Sequence, residues 1–404
     1  MLLHQSHIVL GVTGGIAAYK SADLVSKLVQ AGAQVDVIMT EAAARFVAPL
    51  TFQSLTGRPV SIDPFRLLDQ TDMAHLALAW RADVLVVAPA TANTIAKLAH
   101  GIADNLLCST ALACGAPLVL APAMDAGMWE HPATAENLEV LRRRGAVLVG
   151  PGTGRLASGK VGRGRMAEVP ELLGVIRQVL GRGGPLAGRH VVVTAGGTQE
   201  PLDPVRYLGN RSSGKMGYAL AQAALDRGAA VTLVTAPTAL PAPVGAERVA
   251  VGTAQEMLEA VLAALPACDV LVMAAAVADF RPAAAAPHKI KKGVSGLDLR
   301  LERTADILAR VAEVRAAGGR PACVVGFAAE TQDLVPNARG KLEAKRLDLI
   351  VANDVAAPDS GFGADTNRVT LLDREGRVDA LPLLSKDEVA ARVWELVAAR
   401  LVGG

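Results

Sequence analysis

Short apolar runs rich in valine and isoleucine alternate along this chain with longer stretches of helical period. His7 to Leu10 opens the first run. A helical pattern follows to Leu28, Gly32 stops it, and Val35 to Met39 predicts the next strand. Val84 to Ala88 and Leu118 to Leu120 read as further buried strands, with helices over Thr94 to His100 and Asp104 to Ala113 between them. Gly150 to Gly164 is glycine-rich and predicts a mobile flap rather than an element. Glu171 to Leu180 is helical again.

A linker signal, Gly181 to Pro185, comes next, and the same plan restarts at His190. Val191 to Val193, Val231 to Thr235, Val270 to Ala276, Val324 to Ala328 and Leu349 to Ala352 read as strands, and Met216 to Asp226 as a helix. Strand–helix alternation of this kind builds parallel sheets covered on both faces. The expected fold class is therefore α/β: two tandem Rossmann-like three-layer domains with mainly parallel sheets. The expected boundaries are 1–180 and 189–404, joined by a linker at 181–188.

Composition narrows the function classes. The chain has 404 residues, 51% of them hydrophobic, enough for two substantial cores. A net charge of +2 with 3% aromatics gives neither the electrostatic footprint nor the stacking platforms of a nucleic-acid binder. No apolar run approaches the ~18 residues of a spanning helix, and Met1 to His7 lacks a signal-peptide pattern, so a cytoplasmic protein without membrane contact is expected. The four cysteines, Cys108, Cys114, Cys268 and Cys323, form no CxxC and no histidine cluster, which argues against zinc; Cys268 and Cys323 border apolar runs and read as core residues.

Chemistry concentrates where strands meet helices. Gly11 to Gly15 follows the first strand, where doubly wound folds bind phosphates, but the GxGxxG spacing is absent, so a mononucleotide is favoured over a dinucleotide. The loops Pro89 to Thr94 and Ala121 to Asp125 follow the third and fourth strands and should face the same crevice. In the second half, Thr194 to Gly217 is dense in special residues. Gly196 and Gly197 permit close backbone approach. Ser212, Ser213, Gly214 and Lys215 precede a helix and suit a phosphate, although this is no Walker A loop. Lys341 and Lys345 are four apart and share one helix face, and Lys289 to Lys292 adds positive charge.

The stretch from Thr194 to Gly217 resembles the signature of phosphopantothenate–cysteine ligases. AAAVADF at 274–280, KIKK at 289–292, GFAAET at 326–331, the Lys341/Lys345 pair and VANDV at 351–355 match that family in order. The wider pattern, from about Ile8 to about Asn367, is similar to the bacterial bifunctional enzymes that carry this ligase behind a phosphopantothenoylcysteine decarboxylase.

The resemblance implies a coenzyme A biosynthesis enzyme. In the ligase family CTP activates 4′-phosphopantothenate as an acyl-cytidylate, and the amine of L-cysteine then forms the amide. Carried over by motif, Asn210 contacts the intermediate and Lys289 the acyl-phosphate centre. Gly196, Gly197, Ser212, Lys215, Ala275, Ala276, Asp279, Phe327, Lys341 and Lys345 contact the nucleotide. Asp279 would also hold a Mg²⁺ bound mostly by phosphates.

The N-terminal third resembles FMN-binding cysteine decarboxylases. Thr13, Gly14, Gly15 and Thr40 would hold the flavin phosphate. Pro89, Ala90, Thr91, Asn93 and Thr94 would border the ring, and His75 matches the family's active-site histidine. In that family the thiol of phosphopantothenoylcysteine is oxidised, CO₂ leaves, and the returned hydride gives 4′-phosphopantetheine. The resemblance also implies a homo-oligomer, with decarboxylase trimers stacked into dodecamers and ligase domains paired as dimers.

Two positions depart from the family. Its PAMN motif ends in Asp125, and its flap cysteine is replaced by Ser158. A thiol is a competent proton donor and a serine hydroxyl is far weaker. Burial beside a substrate carboxylate would raise the pKa of Asp125 and make it the proton source, directly or through Ser158. The competing expectation is that Asp125 merely caps a loop and the first domain is a flavin-binding assembly module without decarboxylase activity. A tandem-Rossmann NAD(P) dehydrogenase is a third reading, disfavoured by the missing fingerprint.

Overall fold

The structure, a computed structural model, describes residues 2–65, 73–292, 297–330, 332–354 and 363–403. The chain divides into two compact units, Met1–Gly181 and Arg182–Gly404.

The first unit runs β1 (His7–Val12), α1 (Ala18–Gln30), β2 (Gln34–Met39), α2 (Pro49–Thr56), α3 (Ala74–Arg81), β3 (Val84–Ala90), α4 (Ala92–His100), α5 (Leu106–Ala113), β4 (Leu118–Pro122), α6 (Ala126–Trp129), α7 (Pro132–Arg143) and β5 (Val147–Leu148). A hairpin of β6 (Gly152–Arg155) and β7 (Val161–Arg165) precedes α8 (Val169–Gly181). The sheet order is β2-β1-β3-β4-β5, with every pairing parallel. Alternation along β1 splits the core between the two faces. Ile8, Leu10 and Val12 pack with Leu24, Phe52 and Ile176. Val9 joins Leu78, Ile95, Leu106 and Leu138 on the other face.

The stretch expected to be a flap without structure is in fact an antiparallel hairpin. Its glycines hide the strand period in sequence, but the pairing is fastened from outside. Met124 N donates to Gly164 O at 3.0 Å, and the Arg163 guanidinium lies 5.2 Å from the Trp129 ring centre.

The second unit contains β8 (His190–Ala195), the hairpin β9 (Gln199–Pro201) and β10 (Tyr207–Gly209), α9 (Lys215–Leu225), β11 (Ala230–Thr235), β12 (Ala246–Ala250), α10 (Ala254–Ala264) and β13 (Val270–Met273). It continues with β14 (Phe280–Pro282), β15 (Leu301–Arg303), α11 (Ile307–Ala316), β16 (Cys323–Glu330), α12 (Leu334–Ala344) and β17 (Leu349–Asp354). The last elements are β18 (Thr366–Asn367), β19 (Val369–Asp373), β20 (Val378–Ala380), β21 (Leu384–Ser385) and α13 (Lys386–Gly403). The main sheet has order β12-β11-β8-β13-β16-β17-β19-β20; it is parallel through β17 and antiparallel beyond. In parallel-strand terms this is the 3-2-1-4-5-6 order of a dinucleotide-type fold. Val191 and Val193 pack toward Tyr218 and Trp394. Val192 packs toward Met257 and Val311 on the opposite face. All four cysteines are free. Burial pushes the Cys268 and Cys323 thiols up to about 12, which fits their reading as core residues.

Candidate active sites

In the first unit the sheet order reverses between β1 and β3, and their C-terminal ends are stitched together there. Thr13, 1% exposed, donates from Oγ1 to Pro89 O at 2.7 Å and accepts from Thr91 N at 3.1 Å. Thr91 in turn caps α4 by accepting from Thr94 N. A Cβ on Gly14 would stand 2.4 Å from the Cβ of Ala42, so only glycine lets this turn lie against the next loop. Helix α1 starts beside it with no acidic residue in its first turn. No backbone acceptor among the described residues takes the amides of Gly14, Ile16 and Ala17. Such unpaired amides at a helix start attract an anion.

These elements border a cavity of about 1410 Å³. Gly14, Gly15, Thr40, Thr91, Asn93, Thr94, Asp125 and Ser158 line it, as the sequence led us to expect. Thr13, Pro89, Ala90 and His75 do not line it. Thr13 and Pro89 shape the wall through the bond just described, Ala90 is buried in β3, and His75 is half-buried on α3. Sequence reading missed Lys20, Asp63, Lys97, Asp104 and Arg165 on the lining, because none lies in a glycine-rich turn. Among the described residues, the four cations and four carboxylates of the lining balance.

Asp125 lies three residues beyond the end of β4 and caps α6, accepting from Gly127 N at 3.1 Å. Ser158 sits in the hairpin turn and donates from Oγ to Asp125 Oδ2 at 2.7 Å. That bond first, and the Gly127 amide second, hold the Asp125 carboxyl below the usual range. The expected upward shift is thus reversed in the chain by itself: the residue is only half-buried, and two donors outweigh its desolvation.

In the second unit the order reverses between β8 and β13. Gly196 O accepts from Ala276 N at 2.8 Å, Ala276 O from Thr198 N at 3.2 Å, and Thr194 Oγ1 from Ala275 N at 3.1 Å. Asn210 Nδ2 donates to Val277 O at 2.9 Å. A Cβ on Gly197 would meet Asn210 O at 2.7 Å. Gly196 and Gly197 therefore shape the loops and stay outside the cavity lining. Gly214, at φ 77°, opens α9 without a side-chain cap, and its amide donates to Ser212 Oγ at 3.3 Å.

The cavity beyond these loops measures about 950 Å³. Asn210, Ser212, Lys215, Ala275, Ala276, Asp279, Phe327, Lys341 and Lys345 line it, together with Arg211, Arg303, Asp306, Asn353, Asn367 and Lys386, which sequence reading did not assign. Among the described residues, six cations face two carboxylates, Asp279 and Asp306. Lys345 pairs with Asp306 at 3.2 Å. Lys215 pairs with Asp365 at 2.6 Å. Lys289 lies outside the lining and is exposed. Its neighbour Ile290 is held by Asp203 Oδ2, which accepts from Ile290 N at 3.1 Å, and by Arg206, which donates to Ile290 O at 2.8 Å. No group of three metal-ligating side chains occurs among the described residues. No helix among them is long and apolar enough to cross a membrane.

Residues 2–181 match the Flavoprotein family model, and residues 186–401 match the C-terminal domain of DNA/pantothenate metabolism flavoproteins. The coenzyme A biosynthesis bifunctional protein CoaBC of Bacillus subtilis is 48% identical over 401 residues, 98% of each chain. That of Mycobacterium tuberculosis is 47% identical over 408 residues, 98% of this chain and 97% of its own. A crystal structure of the C-terminal domain of a CoaBC protein matches with 40% identity and a TM-score of 0.47, covering 55% of this chain and all of its own. With a flavoprotein unit followed by a DNA/pantothenate-metabolism unit, and close identity over nearly its full length, the chain belongs to the family of bifunctional coenzyme A biosynthesis enzymes.

Proposed function

We propose that the second unit joins L-cysteine to 4′-phosphopantothenate using CTP. The observation that carries this reading is the switch-point cavity, where six cations stand against two carboxylates among the described residues. Activation brings two anions together. A carboxylate oxygen bonds to the α-phosphorus, pyrophosphate leaves, and the cysteine amine then attacks the acyl carbon and displaces CMP. Fixed cations offset the repulsion of the first step and the charge that develops in both. Asn210 uses one Nδ2 proton on Val277 and has a second for the acyl oxygen. The carboxylate of Asp279 fits a Mg²⁺ that takes its remaining ligands from phosphates and water. Lys289, assigned to the acyl-phosphate centre by resemblance, reaches it only after leaving its present surface position.

In the first unit we infer FMN. The residues present fit it: a switch-point cavity, a glycine turn against Ala42, and unpaired amides at the start of α1. Bound there, FMN supplies the hydride acceptor and donor that make loss of CO₂ from phosphopantothenoylcysteine accessible. Thr13 and Thr91 fix the wall, and Asp125 with Ser158 faces the same space. The family resemblance adds trimers stacked into dodecamers for this unit and dimers for the other. A second reading, a flavin-binding module without decarboxylation, is favoured by the Ser158–Asp125 bond, which leaves that pair without an acidic proton.

The test is to supply phosphopantothenate, cysteine and CTP and weigh the products. Phosphopantothenoylcysteine and pyrophosphate are expected. Equal kcat/KM with ATP, or no amide product, would contradict the ligase reading. Release of CO₂ from phosphopantothenoylcysteine separates the two readings of the flavin unit.

A further inference from the structure

The turn between β9 and β10 holds a buried carboxylate. Asp203 is 4% exposed, and its side chain has no exposed surface. Its Oδ1 accepts from Val205 N at 2.8 Å and from Arg206 N at 2.9 Å, which closes the turn. An asparagine oxygen would serve there as well, since Asn and Asp both make this local turn. The second oxygen is what only an acid supplies. Oδ2 accepts from Ile290 N at 3.1 Å, 87 residues along the chain, and stands 3.6 Å from the Arg206 guanidinium. Burial pushes the carboxyl up, but the amides of Val205, Ile290 and Arg206 together outweigh it and hold the group below the usual range, so Asp203 is ionised.

Both backbone groups of Ile290 enter this clip, because Arg206 donates to Ile290 O at 2.8 Å. A second tie lies just upstream, where Ala286 N donates to Leu202 O at 2.9 Å. Between the ties stand Pro287, His288 and Lys289. A stretch this short, held at both ends and stiffened by the fixed φ of proline, has little backbone freedom. Lys289 is exposed, and its four-carbon stem is the part free to swing. The same hairpin also leads to Asn210. β10 stops at Gly209, and the next side chain is tied by Asn210 Nδ2 to Val277 O. One turn therefore fastens both residues that the ligase reading places at the acyl group.

We propose that Asp203 is a positioning residue of the ligase: through the Ile290 amide it fixes the backbone from which the Lys289 ammonium swings to the acyl-phosphate centre, in register with Asn210. The proposal rests on the ligase reading above. An ammonium on a wandering loop spends its time in water. One whose backbone is pinned searches only the positions around a single pivot, and that restriction is the entropic part of orienting a reacting group. The clip also accounts for the acid. A plain turn needs one acceptor oxygen, and burying a charge to supply it costs more than burying a neutral side chain. The charge serves the amide that lies beside Lys289.

The experiment compares full-length wild type, Asp203→Asn and Lys289→Gln. Pyrophosphate release from CTP gives kcat and the KM for CTP, and amide hydrogen exchange follows the peptide that contains residues 286–290. Asparagine keeps one oxygen for the turn and presents an NH₂ to the Ile290 amide, donor against donor. For Asp203→Asn the expected result is faster exchange in that peptide, with the protection of the sheet strands unchanged. Its kcat should fall at least about tenfold while the KM for CTP stays within about twofold, the same split as in Lys289→Gln. Asp203→Ser takes its place should the asparagine variant not fold: the hydroxyl still closes the turn, Ile290 N loses its acceptor, and the same result is required. Unchanged exchange in 286–290 overturns the proposal, and so does faster exchange with wild-type kcat. Faster exchange throughout the unit, with kcat and KM both worsened, makes Asp203 a structural residue only and overturns it too. A Lys289→Gln protein with wild-type kcat sinks the proposal and leaves the ligase reading standing. A wild-type protein that releases no pyrophosphate sinks both.

Discussion

Ser158 Oγ donates its proton to Asp125 Oδ2 at 2.7 Å, joining the hairpin turn to the start of α6 across 33 residues. Each residue replaces one that the family resemblance would place there, and the two replacements meet. The bond has a direction. Asp125 is ionised and accepts, so the proton of Ser158 points at the carboxylate and not at the cavity.

That direction predicts slow protonation of any carbanion left by CO₂ loss. Ser158→Cys should speed CO₂ release or turnover of phosphopantothenoylcysteine at neutral pH by at least ~10-fold, because a thiol is a far stronger acid than a serine hydroxyl. Equal rates would show that the proton comes from elsewhere. The pH dependence follows from the sign of the shift. Asp125 is held below its unfolded value of about 3.9, so its stabilising contribution is complete above that value and is lost only as pH falls through the lower folded value. Between pH 6 and 8, Asp125→Asn should therefore leave the shape of the pH–rate profile unchanged.

Lys215 offers a second test. Its ammonium lies 2.6 Å from Asp365 Oδ1 and 3.1 Å from Gly363 O. The Asp365 side chain is 87% exposed and its carboxyl is held low chiefly by the bond to Lys215. A phosphate at the start of α9 must compete with this carboxylate. Asp365→Asn should lower the KM for CTP about two- to fivefold, the size of an exposed ion pair, and the gain should shrink in high salt. A higher KM would mean that Asp365 orients Lys215 instead of occupying it.

The sheets were legible because buried parallel strands read as unbroken apolar runs, as Val191 to Val193 and Val84 to Val87 do. The loops at their ends were legible because special backbone geometry needs glycine. What escaped was assembled from afar. Asn367 and Lys386 sit in a two-residue strand and the first turn of a helix, with no motif around either. The hairpin of β6 and β7 escaped because its strand residues, such as Gly152, Gly154 and Gly162, carry no alternation. Gly196 and Gly197 lie outside the cavity lining and pack the loops that border it.

Gly197→Ala tests that distinction. The new methyl would stand 2.7 Å from Asn210 O and 3.3 Å from the Ser212 Cβ. Backbone must shift, at a cost of about 1–3 kcal/mol. The displaced group is the loop that carries Asn210, so amide formation should fall by far more than the fold is destabilised. A variant with lower thermal stability but normal ligase turnover would show that the loop has slack.

The last prediction concerns the opposite edge of the second sheet. Asp348, 1% exposed, precedes β17 and accepts from Val324 N at 2.8 Å. Three guanidinium groups close on it: Arg315 at 2.9 Å, Arg374 at 2.9 Å and Arg400 at 3.4 Å. They come from α11, from the loop after β19 and from α13, so one carboxylate ties the sheet to both helical layers. Removing it leaves a strand amide unpaired and three cations crowded together, with Arg400 still paired to Glu375 at 2.9 Å. Asp348→Ala should cost about 3–5 kcal/mol, as breaking a buried ion pair does. Asp348→Asn should cost less, since a carboxamide oxygen still accepts from Val324. Asp348 and Val324 stand at the N-terminal ends of β17 and β16, and neither lines the cavity. The KM values for CTP and cysteine should therefore stay near wild type in whatever fraction remains folded. Urea unfolding of the full chain measures the first effect and ligase kinetics below the transition measure the second. A stability loss under about 1 kcal/mol for Asp348→Ala would mean that the exposed ends of the arginines are solvated well enough to need no partner.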